Sequence, residues 1–413
     1  MAKFSVVVVF LLLSPFIDGL RFLVVGGTGR VGGSAGAYLC RLSRAEGYDP
    51  SDVTLILGGR SSSSYEASKA RISSKLIALG LAVPSIEFLM VDLDTPIVPL
   101  TATIESCSPT ILIHTAGPFQ QRTDPNLLKS AIALNIPYVD VCDEPSLCSK
   151  SKALSSTVPA IVGAGIWPGT SAIMATEAVH HLRKFENSGD ISFPCDDETI
   201  DLSFYTAGTG NAGATIVSAT FLLLCQKALT FSNGKKAEIE PWIGSRSVDF
   251  GGDVQTKTVR LLDNPDVFTL QSSLSSPNIS SRFATSPELW NLLFGAMKTS
   301  IPKFILEDKN LMQRLAVFSL PVIRFVDSFV GATNAMRVDV SSKSGNSVTF
   351  RVIHDDLEEC VGLATASFAY EVLKGMDAGI YYPSDLGEEE RKGILERVKK
   401  EAVLWDFETS YDK

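Results

Sequence analysis

The sequence predicts an α/β protein: a doubly wound parallel sheet with an inserted α+β domain that contains a mainly antiparallel sheet. Three observations predict it. Six short apolar runs alternate with amphipathic stretches up to residue 162, a glycine-rich turn joins the first run to the first such stretch, and the rhythm changes after residue 182. Strand-like runs separated by helix-like ones bury both faces of a parallel sheet through right-handed crossovers.

The apolar runs are Phe22–Val25, Val53–Leu57, Ile86–Val91, Ile111–His114, Tyr138–Val141 and Ala160–Val162. The helical stretches between them include Val31–Leu42, Tyr65–Leu79, Asn126–Leu134 and Ser146–Leu154, followed by Thr170–Leu182. Further on, the β-branched, alternating runs Ile200–Tyr205, Thr256–Leu262, Met336–Val340 and Val348–His354 predict the second sheet. Helical candidates there are Ala214–Leu229, Pro287–Thr299 and Lys309–Gly331, and Val361–Lys374 and Glu388–Val403 read as two closing helices. The chain thus divides into 20–165, a dinucleotide-binding domain; 166–355, a substrate domain; and 356–413, helices returning to the first domain.

Residues 1–19 stand apart. Lys3, the apolar run Ser5–Ile17 and the small residue Gly19 match a signal peptide or membrane anchor, although Asp18 makes a poor cleavage site. The alternative is a buried strand at Val6–Val9. The strand that the glycine turn needs is already supplied by residues 21–25, which favours targeting, to the endoplasmic reticulum and secretory route or to a plastid.

Composition excludes other classes. Of 413 residues 45% are hydrophobic and 20% charged, too apolar for a disordered chain, and repeated runs of about 20 apolar residues are missing. With 46 acidic against 37 basic side chains the net charge is −9, without a basic block, so nucleic acid is not an expected partner. Seven scattered cysteines lack C-x-x-C and four histidines lack H-E-x-x-H, so neither a disulfide scaffold nor a metal site is expected.

The turn Gly26-Gly-Thr-Gly-Arg-Val-Gly-Gly33 carries G-x-G-x-x-G at Gly27, Gly29 and Gly32, with the overlapping spacing Gly26, Gly29, Gly32. It follows a strand and opens a helix, the Rossmann context in which bare backbone approaches a pyrophosphate and helix N–H groups point at it. Gly26, Gly27, Thr28, Gly29, Arg30, Val31 and Gly32 are therefore the expected cofactor-binding turn. An NAD site wants an acid at the end of the second strand; this chain has Gly59, Arg60 and Ser61, a fork-shaped cation and a hydroxyl suited to a 2′-phosphate. NADP is the expected cofactor. Asp92, after the third strand, either lines the adenine or serves as a turn residue. Ala116, Gly117 and Pro118, after the fourth, are expected near the nicotinamide, although turn chemistry explains them almost as well.

Five ordered motifs carry a family resemblance: the glycine turn, His114-Thr-Ala-Gly-Pro-Phe-Gln-Gln121, Tyr138-Val-Asp-Val-Cys-Asp-Glu-Pro145, Gly163-Ala-Gly-Ile-Trp-Pro-Gly169 and Tyr205-Thr-Ala-Gly-Thr-Gly-Asn-Ala-Gly213. Together they resemble the saccharopine dehydrogenase-like family, in its plant and algal branch, from about residue 21 to near the carboxyl end. The resemblance implies an NADP-binding domain with a second domain inserted after the sixth strand, and hydride transfer to or from a C=O or C=N carbon. Some members of that family are associated with membranes or lipid, so peripheral membrane association and a homodimer are partner expectations beside a small-molecule substrate. The turn also resembles that of short-chain dehydrogenases, but the Tyr–Lys pairs available, Tyr65 with Lys69 and Tyr370 with Lys374, fall in the wrong places.

Hydride transfer needs a proton donor or acceptor beside the reacting carbon. Asp143, just past the fifth strand, and Tyr205 are the candidate catalytic residues. Glu144 is a candidate acid or a helix cap, Cys142 reads as packing, and His114 as a strand-end histidine near its ordinary pKa. The glycine-rich Thr206–Gly213 is either an anion site or a turn. A substrate with several carboxylates would want clustered arginines, and Arg246, Arg260, Arg282 and Arg337 form no motif, which argues against saccharopine itself. The apolar stretches Leu289–Met297 and Phe304–Val330 read as core or a dimer interface. Two functions remain open: an NADP(H)-dependent oxidoreductase, or an NADP-binding module without chemistry and with a redox-sensing or membrane-associated role.

Overall fold

The computed structural model describes residues 19–119, 122–208 and 214–411. The expected targeting segment, apart from Gly19, lies outside them, as do Gln120, Gln121 and the glycine-rich residues 209–213. The first unit runs β1 (Leu20–Val25), α1 (Arg30–Ala45), β2 (Val53–Gly59), α2 (Ser62–Ala78), β3 (Ser85–Met90), α3 (Ile97–Glu105), β4 (Ile111–His114), α4 (Asn126–Ala133), β5 (Tyr138–Asp140), α5 (Pro145–Lys152), β6 (Pro159–Ile161) and α6 (Thr170–Glu186). The second runs β7 (Thr199–Ala207), α7 (Ala214–Leu223), β8 (Ala228–Ser232), β9 (Lys235–Ile239), β10 (Arg246–Asp249), β11 (Thr256–Leu261), α8 (Pro265–Leu274), β12 (Asn278–Ser286), α9 (Glu288–Ser300), α10 (Lys303–Leu306), α11 (Lys309–Val330), β13 (Thr333–Ser341) and β14 (Ser347–His354). The chain closes with α12 (Leu357–Leu373), β15 (Gly379–Tyr381), α13 (Glu388–Lys399) and β16 (Leu404–Ser410).

The first sheet is parallel, in the order β15-β6-β5-β4-β1-β2-β3. Its strands are apolar on both faces because helices cover both. In β1, Phe22 and Val24 belong to the core that includes Leu363 and Ala364 of α12, while Leu23 and Val25 join Leu100 and Leu127 in a separate core. From β1 the chain winds outward through β2 and β3, then returns to start β4 on the other flank. The crevice at this reversal, beyond the carboxyl ends of β1 and β4, is where such sheets hold ligands.

The second sheet has the order β10-β11-β12-β7-β13-β14-β16, with the β8–β9 hairpin attached at β12. Antiparallel pairs dominate, but β12 and β7 run parallel along their full length. Helix α6 links the two units: Ala172, Ile173, Ala175, Ala178, Val179 and Leu182 are fully buried in a core that includes residues of both sheets.

Two sequence readings are corrected. The segment 356–413 holds two strands besides its helices: β15 extends the first sheet and β16 pairs with β14 in the second. Both strands depend on distant partners that no local pattern reveals. The single helix expected over Ala214–Leu229 ends at Leu223, because Ala228–Ser232 forms a hairpin strand with Lys235–Ile239, a pairing that no helical period in the run announces. Of the two readings for the α9 and α11 stretches, core holds for the inner face alone, and the outer face is exposed. Met312 and Ala316 pack against Val217 and Phe221, but Phe318 is 82% exposed, with Val322, Phe325 and Phe329 exposed along the same stripe.

Candidate functional site

A cavity of about 1230 Å³ opens at the crevice between β1 and β4, walled by loops of the first sheet, the Gly165–Pro168 segment, and Asn310 and Gln313 of α11. The glycine turn forms one end. Gly26 has φ +90°, and a Cβ there would lie 2.6 Å from the Ala116 nitrogen. Gly32 allows α1 to approach the turn: its Cβ would lie 2.4 Å from the Gly26 oxygen and 2.5 Å from Thr115 Oγ1. The turn is held by Gly26 N donating to Gly58 O and Gly29 N donating to Gly26 O, both at 2.9 Å.

Gly29 is the N-cap of α1, and no side chain caps the helix or places an acid in its first turn. The first N–H groups of a 16-residue helix, carrying the positive end of its dipole, therefore face the cavity beside Thr28, Arg30, Val31 and Gly32. Gly27 lies beneath the turn rather than on the wall, its carbonyl accepting from Ser68 Oγ at 2.8 Å. The Arg30 side chain is engaged elsewhere: Nε donates to Glu358 of α12 at 2.9 Å. Burial, only partly offset by Arg30, pushes the Glu358 carboxyl up to about 7. Arg30 thus presents its backbone N–H and the remaining guanidinium N–H groups on the cavity wall.

Arg60 stands at the cavity lip, exposed and, among the described residues, without an ion pair. Ser61 does something different from what the sequence suggested. It caps α2, accepting from Ser64 N at 3.3 Å, and is absent from the cavity wall. Asp92 serves as a turn residue, accepting from Asp94 N at 3.1 Å, and also lines the cavity. Ala116, Gly117 and Pro118 line the wall beyond Gly26, and Asp143 lies half-buried near them.

Tyr205 is not brought to the cavity. Successive residues of a strand point to opposite faces. On β7, Phe204 stacks on Trp167 with ring centroids 5.1 Å apart, on the cavity side, whereas Tyr205 turns to Phe250 on the far face, its hydroxyl 2.6 Å from Ser286 Oγ. Glu144 caps α5 through Ser146, and Cys142 is buried off the wall. None of Arg246, Arg260, Arg282 and Arg337 reaches the cavity; Arg246 and Arg282 bind Asp201, Arg337 binds Asp339 and Arg260 binds Glu288.

Sequence reasoning missed a buried hydrogen-bond chain at the cavity wall beside Ala116 and Gly117. His114 ends β4 and lies level with Asp140 of β5, with Tyr138 two residues back on the same face. The His114 Nδ1 to Tyr138 Oη and Tyr138 Oη to Asp140 Oδ2 distances are both 3.0 Å. Asp140 Oδ1 accepts the backbone N–H groups of Cys142 at 3.0 Å and Gly163 at 2.8 Å. Burial pushes Asp140 up to about 6 and, with Arg122 nearby, His114 down to about 3, so the ring is neutral rather than near its ordinary value.

With this geometry in place, the comparisons are informative about fold. The chain shares its fold with homospermidine synthase from Legionella pneumophila, solved in complex with NAD: TM-score 0.59 at 13% identity, covering 95% of this chain and 91% of that one. Malate dehydrogenase from Plasmodium falciparum in complex with NADH aligns over 92% of this chain and 95% of its own, at 11% identity, but with a TM-score of 0.19 its geometry differs too much to bear on the site. No family model and no curated protein matches the sequence.

Proposed function

We propose that the chain is an NADP(H)-dependent oxidoreductase of saccharopine dehydrogenase-like type, moving a hydride to or from a carbonyl or imine carbon of a small molecule bound between the two units. The observation that carries the reading is the cradle at Gly26–Gly32: a turn packed too tightly for side chains, opening a bare helix N-terminus onto a large cavity. The bound nicotinamide would supply or accept the hydride.

The chain's own residues position the reactants. Backbone donors of α1 hold the pyrophosphate, and Arg60, standing where an NAD site has an acid, takes the 2′-phosphate. Ala116 to Pro118 line the nicotinamide end, and Trp167, Asn310 and Gln313 wall the substrate side. Because Arg246, Arg260, Arg282 and Arg337 are paired away from the cavity, they offer a substrate carboxylate no partner. Binding of NADPH and NADH to the chain and to Arg60→Ala, by calorimetry, tests the reading. Loss of a charge-assisted contact of about 1.5–3 kcal/mol should weaken NADPH by about ten- to a hundredfold and leave NADH unchanged. Equal affinities that ignore the substitution would refute the NADP assignment. Screening carbonyl compounds and amine–carbonyl mixtures for NADPH oxidation then identifies the substrate class.

A further inference from the structure

We propose that His114 is the proton-transferring residue of this cavity, with Tyr138 and Asp140 as positioning residues and Asp140 as the place where the transferred proton comes to rest. The proposal rests on the oxidoreductase reading above and adds the acid–base group that reading lacks.

The hydrogen-bond chain dictates the tautomer. Asp140 Oδ1 is occupied by two backbone N–H groups, so Oδ2 takes the Tyr138 hydroxyl proton. The Tyr138 oxygen then accepts from His114, which places the ring hydrogen on Nδ1 and the lone pair on Nε2. That Nε2 is buried and has no hydrogen-bond partner among the described residues, although its ring is on the cavity wall. Buried acceptors are paired as a rule, and an unmade bond on a cavity wall is a place for a ligand's donor. Its neighbours Ala116 and Gly117 are the backbone that lines the nicotinamide end.

In the oxidising direction, a substrate O–H or N–H donates to Nε2. The N–H bond forms there as the substrate's bond to that hydrogen breaks, and the released pair closes the C=O or C=N bond. An oxidised nicotinamide dinucleotide bound in the cavity would accept the substrate C–H pair as hydride. The Nδ1 proton passes to the Tyr138 oxygen while the Tyr138 proton passes to Asp140 Oδ2. The ring ends neutral in the opposite tautomer, and the carboxyl ends protonated. Burial favours this outcome over a buried imidazolium, because it pushes Asp140 up to about 6 and His114 down to about 3. Other titratable or charged groups around the chain are Arg122, which disfavours a second positive charge, and Cys142, Asp143, Glu144 and Cys148 beyond β5; burial keeps the Cys142 thiol protonated.

The test is nitrogen-15 NMR of the full chain labelled at its four histidines, with His114→Gln to assign the resonance. We expect a neutral ring protonated on Nδ1 at about pH 7 to 8, above the value of about 6 to which burial raises Asp140, so that its carboxylate takes the Tyr138 proton. We also expect different Nε2 shifts with NADP⁺ and NADPH bound, because the charge of the nicotinamide changes beside that atom. Tyr138→Phe should release the tautomer into a mixture. An Nε2–H tautomer, or identical ring shifts with the two nucleotides when calorimetry shows both bound, overturns the relay and leaves the cofactor reading standing. Failure of either nucleotide to bind overturns both.

Discussion

Gly32→Ala is expected to destroy tight nucleotide binding in a chain that still folds. The added Cβ would lie 2.4 Å from the Gly26 carbonyl oxygen, whereas ordinary contact begins at 3.4 Å, so the first turn of α1 must retreat by about 1 Å. The carbonyl cannot move aside instead, because it accepts the Gly29 N–H that closes the turn. A retreat of that size takes a hydrogen bond of ordinary length, about 2.9 Å, out of reach. With two phosphate-facing N–H groups lost at about 1.5–3 kcal/mol each, the cost is about 3–6 kcal/mol, or two to four orders of magnitude in Kd. Calorimetric titration with NADPH measures it, and a thermal melt checks the fold, where overpacking should cost about 1–3 kcal/mol. Gly29→Ala, whose Cβ would meet only the Gly26 carbonyl at 3.1 Å, is the milder companion, with an expected loss of about tenfold. An NADPH Kd for Gly32→Ala within about threefold of the parent would refute the assignment of this helix end as the phosphate cradle.

Three further outcomes follow from buried polar groups. Asp266, which accepts from Gly169 N at 3.3 Å and from Ser171, is pushed by burial up to about 7, above its unfolded value of 3.8. Its stabilising contribution is complete below pH 3.8 and is lost as pH rises through about 7; Asp266→Asn should therefore remove about 1.4 kcal/mol per pH unit of downward slope in unfolding free energy over that window, and denaturant titrations showing parallel slopes would contradict it. Arg183 is almost fully buried, bound to both oxygens of Glu198 at 2.9 and 2.7 Å and to the Leu274 carbonyl at 2.8 Å, so Arg183→Met should lose about 3–5 kcal/mol in chemical denaturation, mostly from the stranded carboxylate; a loss below about 1 kcal/mol would mean that solvent reaches the pair. With a carbonyl compound that the NADPH screen returns, Tyr138→Phe should lower kcat by about a hundredfold at unchanged KM, and a purely structural Tyr138 would leave kcat intact.

How much of the site is legible in the sequence depends on how far apart its parts lie along the chain. The glycine turn is readable because strand, glycines and helix start are contiguous, and each glycine answers a local steric demand. That Arg60 stands at the cavity lip is readable because its position is counted from the end of the same unit. Tyr205 misleads because its neighbourhood is glycine-rich and polar, yet one step along β7 separates the cavity face, taken by Phe204, from the opposite face. Glu358 reaches Arg30 across 328 residues, and no pattern near either residue announces the other.

Local chemistry therefore specified the α/β class, the parallel sheet and the place of the glycine turn, because periodicity, turn residues and capping act over a few residues. Tertiary structure alone decided which face of each strand looks into the cavity, that β15 and β16 end up in different sheets, and that β4 and β5 run in the register that puts His114, Tyr138 and Asp140 in one line. Those features arise from backbone pairing between distant segments, selected by the burial of whole faces, and such pairing leaves no periodic trace in the chain itself.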